Sequence, residues 1–412
     1  MTLSAERNER QEQRQEQRQD ALAWLRSALW HHDADVAYVP VGAGDPAARW
    51  LARPDAEAPE LLVPAAPRRA SAAVSRRFWD GMPARRRARQ WVGEAVLRSG
   101  LAQRLWPGRV ALVGADADTD DPERSVLAAL AAHLDLGPLL VAVTLRPEAY
   151  NGKPILQLFR SDGTAVAFAK VAVDDITAEY VRTEVDWLRR AVALPGPVRA
   201  PGLLGALDWH GRPIAVVEPL ALPRLPRRRR PDGLARAVTD IAALGEQGDV
   251  AAAHSGVIAR CRREEADRPT GDGFAELVDA VVDDHGDTTL AVGAWHGDLS
   301  PWNTATDGSG LLVWDWELAA DGLPVGADLL HHHVMVASHL GGVDADTAVG
   351  AVLDGRVPEL AAVGVPSARH AAVRDLYLLE QVRRDRRSDL QGRPDPTRRL
   401  GDAAGRRLRA SR

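Results

Sequence analysis

The sequence predicts a two-lobed α+β chain, with a small antiparallel-sheet lobe over residues 121–220, a mostly helical lobe over 221–395 and an N-terminal extension ahead of both. Three observations carry this. The apolar runs Leu139 to Leu145, Ile155 to Phe159 and Ala165 to Val173 follow one another across turn-rich stretches, the pattern of successive strands. From Gly233 onward helical segments dominate, with Phe274, Leu277, Val278 and Val281 at helical spacing. Within that region Thr304-Ala305-Thr306, the turn Asp307-Gly308-Ser309-Gly310 and the run Leu311 to Trp314 read as a short hairpin.

Composition sets outer bounds. With 412 residues, 45% of them hydrophobic, the chain is long enough for two or three compact units with a sizeable core. Its one cysteine, Cys261, excludes an intramolecular disulfide and suits a reducing cytosol. The first twenty residues alternate Glu, Gln and Arg without the apolar centre of a signal peptide, and no later apolar run reaches membrane-spanning length. A cytoplasmic protein without a membrane partner is therefore expected. The net charge of −5 gives no argument for nucleic acid as a partner.

In chain order, residues 1–20 read as a low-complexity charged tail. Leu22, Leu25 and Leu29 then begin an amphipathic helix within an extension, 21–120, of uncertain order. Gly42 to Ser75 is rich in Ala, Pro and Arg and reads as irregular connection, with a short strand at Glu60 to Val63. Arg85, Arg86, Arg87 and Arg89 open a helical stretch, read as a solvated face rather than a nucleic-acid patch, and Val110 to Val113 reads as a strand. At Asp121-Pro122-Glu123 an N-cap and a first-turn proline start a helix carrying Leu127, Leu130 and Leu134.

The third strand of the sheet lobe places Lys170 inside an apolar run. Lysine occurs only here and at Lys153 in a chain of 52 basic residues, so a compact point charge has been kept where the sequence otherwise uses Arg. Such an ammonium needs an acidic partner. On the helix over about 175–190, Ile176, Tyr180, Glu184 and Leu188 fall at i+4 intervals, which sets Glu184 on the apolar stripe as the candidate partner, against the alternative of an exposed helix glutamate. The loop Arg146 to Pro154 holds one glycine; Lys153 in it reads either as a phosphate contact or as an exposed strand-start residue. The Arg-rich tract 224–230 reads as a solvated connection, and 396–412 as a charged tail.

The hairpin carries the chemistry. If Thr306 and Leu311 pair across the turn, Asn303 falls beside Trp314 and Asp315, and an amide oxygen with a carboxylate suits magnesium. Asp298, five residues before Asn303, can accept the proton of an attacking hydroxyl. His331-His332-His333 lack convergent metal spacing, because neighbouring helix positions diverge by about 100°, and at least one is expected to face the core.

The strings His296-Gly297-Asp298-Leu299-Ser300-Pro301-Trp302-Asn303 and Val313-Trp314-Asp315-Trp316-Glu317 resemble the catalytic loop and metal-binding segment of the aminoglycoside phosphotransferase and choline kinase-like families, which share the protein-kinase-like fold. The resemblance covers about residues 121–390. It implies ATP and Mg2+ as cofactors, Asp298 as catalytic base, Asn303 and Asp315 as magnesium ligands, and His296 as support for the loop. It also makes Lys170 the phosphate-contacting lysine with Glu184 as its partner, Glu218 and Leu220 the backbone contacts to adenine, and Asp328 the buttress of the catalytic loop. A small-molecule hydroxyl acceptor is implied, with Ser300 standing where protein kinases usually carry a lysine. No GxGxxG precedes Lys170, which leaves an inactive nucleotide-binding or scaffold protein as the alternative reading.

Overall fold

The computed structural model describes residues 21–42, 45–56, 59–75, 82–145, 149, 151–222, 233–307, 310–354, 358–390 and 400–410. The expected tail 1–20, the Arg tract 224–230 and, in the loop Arg146 to Pro154, residues 146–148 and 150 lie outside them. The described residues fall into two compact units, one made of those within Met1–Arg77, Ala84–Val185 and Pro201–Ala221, the other of those within Phe78–Pro83, Asp186–Ala200 and Leu222–Arg412.

The strands in chain order begin with β1 (Ala37–Val41), β2 (Ala48–Arg53), β3 (Leu61–Pro64), β4 (Arg109–Val113), β5 (Leu140–Thr144), β6 (Ile155–Phe159) and β7 (Ala165–Val171). They continue with β8 (Val198–Arg199), β9 (Leu203–Trp209) and β10 (Arg212–Val217). All but β8 join one nine-stranded sheet in the order β1-β4-β2-β3-β5-β6-β7-β10-β9. Alternation of side chains divides its core between two faces. Val141 and Val143 of β5 pack with Leu25, Leu29, Trp50, Leu62, Leu156 and Val171 on one face, while Ala142 packs with Leu51, Val63, Ala70 and Phe159 on the other.

The stretch 21–120, expected as an extension of uncertain order, therefore supplies four strands of the same sheet as the lysine-bearing β7. The join is β3 against β5, with Leu61 opposite Thr144 and Leu62 opposite Val143. Trp50 reaches past it and donates its indole N–H to the Val141 carbonyl at 2.7 Å. The sequence disguises β1 and β2, since one contains Pro40 and the other is bracketed by arginines, compositions depleted in strands. The expected helix start at Asp121 also moves: the Asp121 carboxylate accepts from the Glu123 N–H in a turn, and the helix Val126–His133 begins after Ser125, whose hydroxyl oxygen accepts from the Leu127 N–H.

The second unit is mostly helical, with helices at Gly233–Ala242, Gly256–Asp267, Phe274–His285, Ala327–Met335, Ala345–Leu353, His370–Leu390 and Leu400–Ala410. Its remaining strands are β11 (Gly248–Ala251), β12 (Thr289–Trp295), β13 (Thr304–Thr306), β14 (Leu311–Val313) and β15 (Ala320–Pro324). They form the sheets β11-β12-β15 and β13-β14-β8. The region expected as a charged tail holds the helix Leu400–Ala410, which buries Leu400, Ala403, Ala404 and Leu408. In the first unit, on the Arg85–Arg89 helix, Ala84–Ser99, Trp91 and Val92 are exposed and Leu97 is buried.

Removing residues 1–120 would strip β5 of its β3 neighbour and expose apolar surface worth about 25 cal/mol per Å². A chain starting at residue 121 is expected to aggregate on expression; recovery of a soluble, cooperatively unfolding 121–412 fragment by size exclusion and urea denaturation would contradict the shared sheet.

Candidate active site

Strand β12 delivers the chain into the loop 296–303, and that loop is held from both sides. At Gly297 the backbone adopts φ +83°, and a side chain there would run into the Leu318 carbonyl oxygen. On one side the Asp328 carboxylate, in the first turn of the helix Ala327–Met335, accepts from the His296 N–H at 2.6 Å and the Gly297 N–H at 3.0 Å. On the other, Arg384 donates to the carbonyls of Gly297 at 2.7 Å and Leu318 at 3.2 Å while its guanidinium lies 4.2 Å from the Trp295 ring centre. Arg384 also donates to Glu380 at 3.1 Å. Burial alone would raise the Glu380 carboxyl, but the Arg383, Arg260 and Arg384 guanidiniums more than offset this and hold it below the usual carboxylate range. Glu380 is thus the anchor of a buried charge cluster, and Leu376 to Leu379 beside it are core.

Asp298 is fixed by its neighbours. Its Oδ1 accepts from His331 Nε2 at 3.1 Å, and its Oδ2 accepts from Asn303 Nδ2 at 3.1 Å. His331 must carry its proton on Nε2 to do so, and its Nδ1 then accepts from the Tyr377 hydroxyl at 3.3 Å. Burial pushes the Tyr377 phenol well above its ordinary value, which keeps that hydroxyl a donor. His296 is oriented in the same manner: its Nδ1 accepts from the Asp298 N–H at 3.3 Å and its Nε2 donates to the Trp314 carbonyl at 3.1 Å. His332 donates to the Leu299 carbonyl at 2.8 Å. Two of the three consecutive histidines thus face inward, and each binds the catalytic loop. The sequence places at least one of them in the core without a partner; the spacing of three and four residues after Asp328 was the available signal, since it puts them on neighbouring helix positions.

The hairpin has the anticipated register, Thr304 opposite Val313 and Thr306 opposite Leu311. The Trp314 N–H donates to the Asn303 carbonyl at 3.1 Å, which sets Asn303 next to the residue preceding Asp315. Asp315 itself adopts the left-handed conformation, φ 71° and ψ 61°. Its carboxylate lies within 4.8 Å of that of Glu317, a buried residue that the sequence reading left without a role. With the Asn303 amide nitrogen bonded to Asp298, its oxygen remains as the ligand atom. An amide oxygen beside carboxylates is a hard-oxygen donor set that fits magnesium.

In the first unit, Lys170 and Glu184 are buried, and Lys170 Nζ lies 2.7 Å from Glu184 Oε1 and 2.6 Å from Oε2. The exposed-glutamate alternative is excluded. The Glu218 side chain is exposed and its N–H donates to the Gly202 carbonyl at 2.9 Å, so Glu218 retains its carbonyl oxygen as the group free of that bond. Leu220 is half-buried two residues further on. Lys153 is buried, which excludes its reading as an exposed residue.

Burial pushes the Asp328 carboxyl up to about 6, against the lowering effect of the two backbone N–H groups and Arg384. A folded-state value above the ordinary 3.8 means that the folded protein binds the extra proton between about pH 4 and pH 6. This contribution to stability is full below pH 4 and is lost as pH rises through 6. The difference in unfolding free energy between wild type and Asp328→Asn should fall by about 3 kcal/mol over that window and stay level above it. Urea denaturation at pH 4, 5, 6 and 7 checks this; a difference independent of pH would contradict the buried, charge-disfavouring site.

No protein-family model matches the chain, and no curated protein matches it. Among solved structures it is similar to a thermostable mutant of an aminoglycoside phosphotransferase in ternary complex with AMP-PNP and hygromycin B, at 15% identity over 69% of this chain and 98% of that one, with a TM-score of 0.45. It is similar to a putative fructosamine-3-kinase from Thermobifida fusca YX-ER1, at 22% identity over 69% and 100% of the two chains, with a TM-score of 0.39. A choline/ethanolamine kinase family protein from Mesorhizobium loti stands at 16% identity over 66% and 87%, with a TM-score of 0.39.

Proposed function

We propose that the chain is an ATP-dependent phosphotransferase that moves the terminal phosphoryl group of ATP to a hydroxyl of a small molecule, with a sugar, aminosugar or amino alcohol as the acceptor class. The observation that carries this reading is the Asp298 carboxylate held by His331 on one oxygen and Asn303 on the other. A carboxylate has about four acceptor sites, so two such bonds orient it and leave capacity for an incoming hydroxyl. Asp298 accepts the acceptor's proton as its oxygen bonds to the terminal phosphorus. The bond from that phosphorus to the bridging oxygen breaks, and ADP leaves.

The remaining residues position and neutralise. Lys170, fixed by Glu184, donates to phosphate oxygens. The Glu218 carbonyl and the Leu220 N–H meet the adenine edge. Asn303 and Asp315 would hold magnesium, which when bound screens the charge on the phosphates. Catalysis then comes mainly from positioning and charge stabilisation. The competing reading, a nucleotide-binding protein without turnover, draws on the single glycine of the loop 146–154.

A thermal-shift titration with ATP and magnesium, alone and together, tests the nucleotide site. At ligand 100-fold above its Kd, stabilisation of about 2.7 kcal/mol is expected, dependent on magnesium and lost in Asp315→Ala. An absent shift, or one indifferent to magnesium and to the substitution, would remove the basis for this function.

A further inference from the structure

The two lysines of this arginine-rich chain are both buried in the first unit, Lys153 at 5% and Lys170 at 8% exposure. Strand register puts them on one face of the sheet. Ile155 of β6 lies opposite Lys170 of β7, the Val171 N–H donates to the Pro154 carbonyl at 3.3 Å, and residues two apart on an extended chain share a face. Lys153 is thus the diagonal neighbour of Lys170, about 7–8 Å away along the backbone. One helix meets both side chains. Tyr180 and Glu184, one turn apart on Asp175–Ala191, lie 5.8 Å from the Lys153 ammonium (ring centre) and 2.7 Å from that of Lys170.

We propose that Lys153 is a second phosphate-binding group, contacting the nucleotide's polyphosphate beside Lys170; this rests on the phosphotransferase reading. Glu184 balances the charge of Lys170, and a polyphosphate chain offers charged oxygens to both ammoniums at once. The loop that would otherwise cover the phosphates has one glycine, and its amide is already used: the Gly152 N–H donates to the Ala149 carbonyl at 2.8 Å. Lys153 directly follows it and supplies as a point charge what backbone amides supply in a glycine-rich loop. The Tyr180 ring, 5.8 Å away, offers the ammonium a cation-π contact, and the Asn151 carbonyl accepts from it at 3.4 Å.

Isothermal titration of ATP, ADP and adenosine, with magnesium, into wild type, Lys153→Met, Lys153→Arg and Lys170→Met separates the outcomes. Lys153→Met should weaken ATP by about tenfold or more, the range of a lost charged hydrogen bond, and leave adenosine within about twofold. Lys153→Arg, which keeps the charge and protects against a folding failure of the first variant, should show a smaller loss with the same ATP selectivity. ATP affinity unchanged in both variants, while Lys170→Met weakens it, overturns the role of Lys153 alone. Absence of nucleotide binding in wild type overturns this inference together with the proposed function.

Discussion

The Asp328 carboxylate, buried and accepting from the N–H groups of His296 and Gly297, is the constraint on which the catalytic loop depends. A loop that must present a carboxylate at a fixed angle cannot rely on side-chain packing alone, because its backbone donors would be left without partners in a dry interior. Asp328 takes two of them, and the helix that carries it also carries His331 and His332. One rigid element therefore fixes the backbone of the loop, the Asp298 carboxylate and the Leu299 carbonyl. Arg384 completes the arrangement from the opposite direction by taking the Gly297 and Leu318 carbonyls, with Glu380 balancing its charge.

The first unit solves a parallel problem with different means. Lys170 sits in a strand covered on both faces, where an ammonium without a counter-charge would be costly. Glu184 provides that charge from a helix whose apolar residues Ala178, Val181 and Val185 pack with Ala172 and Ala215 of the sheet. The strands from the first third of the chain continue that sheet and share its core, so the lysine is held by a nine-stranded structure rather than a small isolated one.

The sequence made some of this legible because the information was local. The hairpin register followed from turn residues flanked by apolar runs, and β6 from an apolar stretch broken only by Gln157, with correct ends. Glu184 was readable from helical spacing once Lys170 demanded a partner. Elements with mixed composition were hidden: β2, Ala48–Arg53, is two-thirds arginine and alanine, and β9, Leu203–Trp209, alternates half-buried and exposed positions. The contacts of Arg384 and His331 with the loop were also hidden. They span 87 and 33 residues of sequence, and no local pattern encodes a partner that only the packing of helices brings near.

The most direct test of the account is transfer of the terminal phosphoryl group from ATP to hydroxylated acceptors, followed as ADP release and phosphorylated product over a panel of sugars, aminosugars and amino alcohols. Wild type should phosphorylate at least one member of the panel. Asp298→Asn, with an unchanged unfolding transition and retained ATP binding, should lower that turnover by at least about 100-fold, the scale of a lost general base. Turnover by Asp298→Asn equal to wild type, or ATP binding by wild type with no transfer to any acceptor, would contradict it.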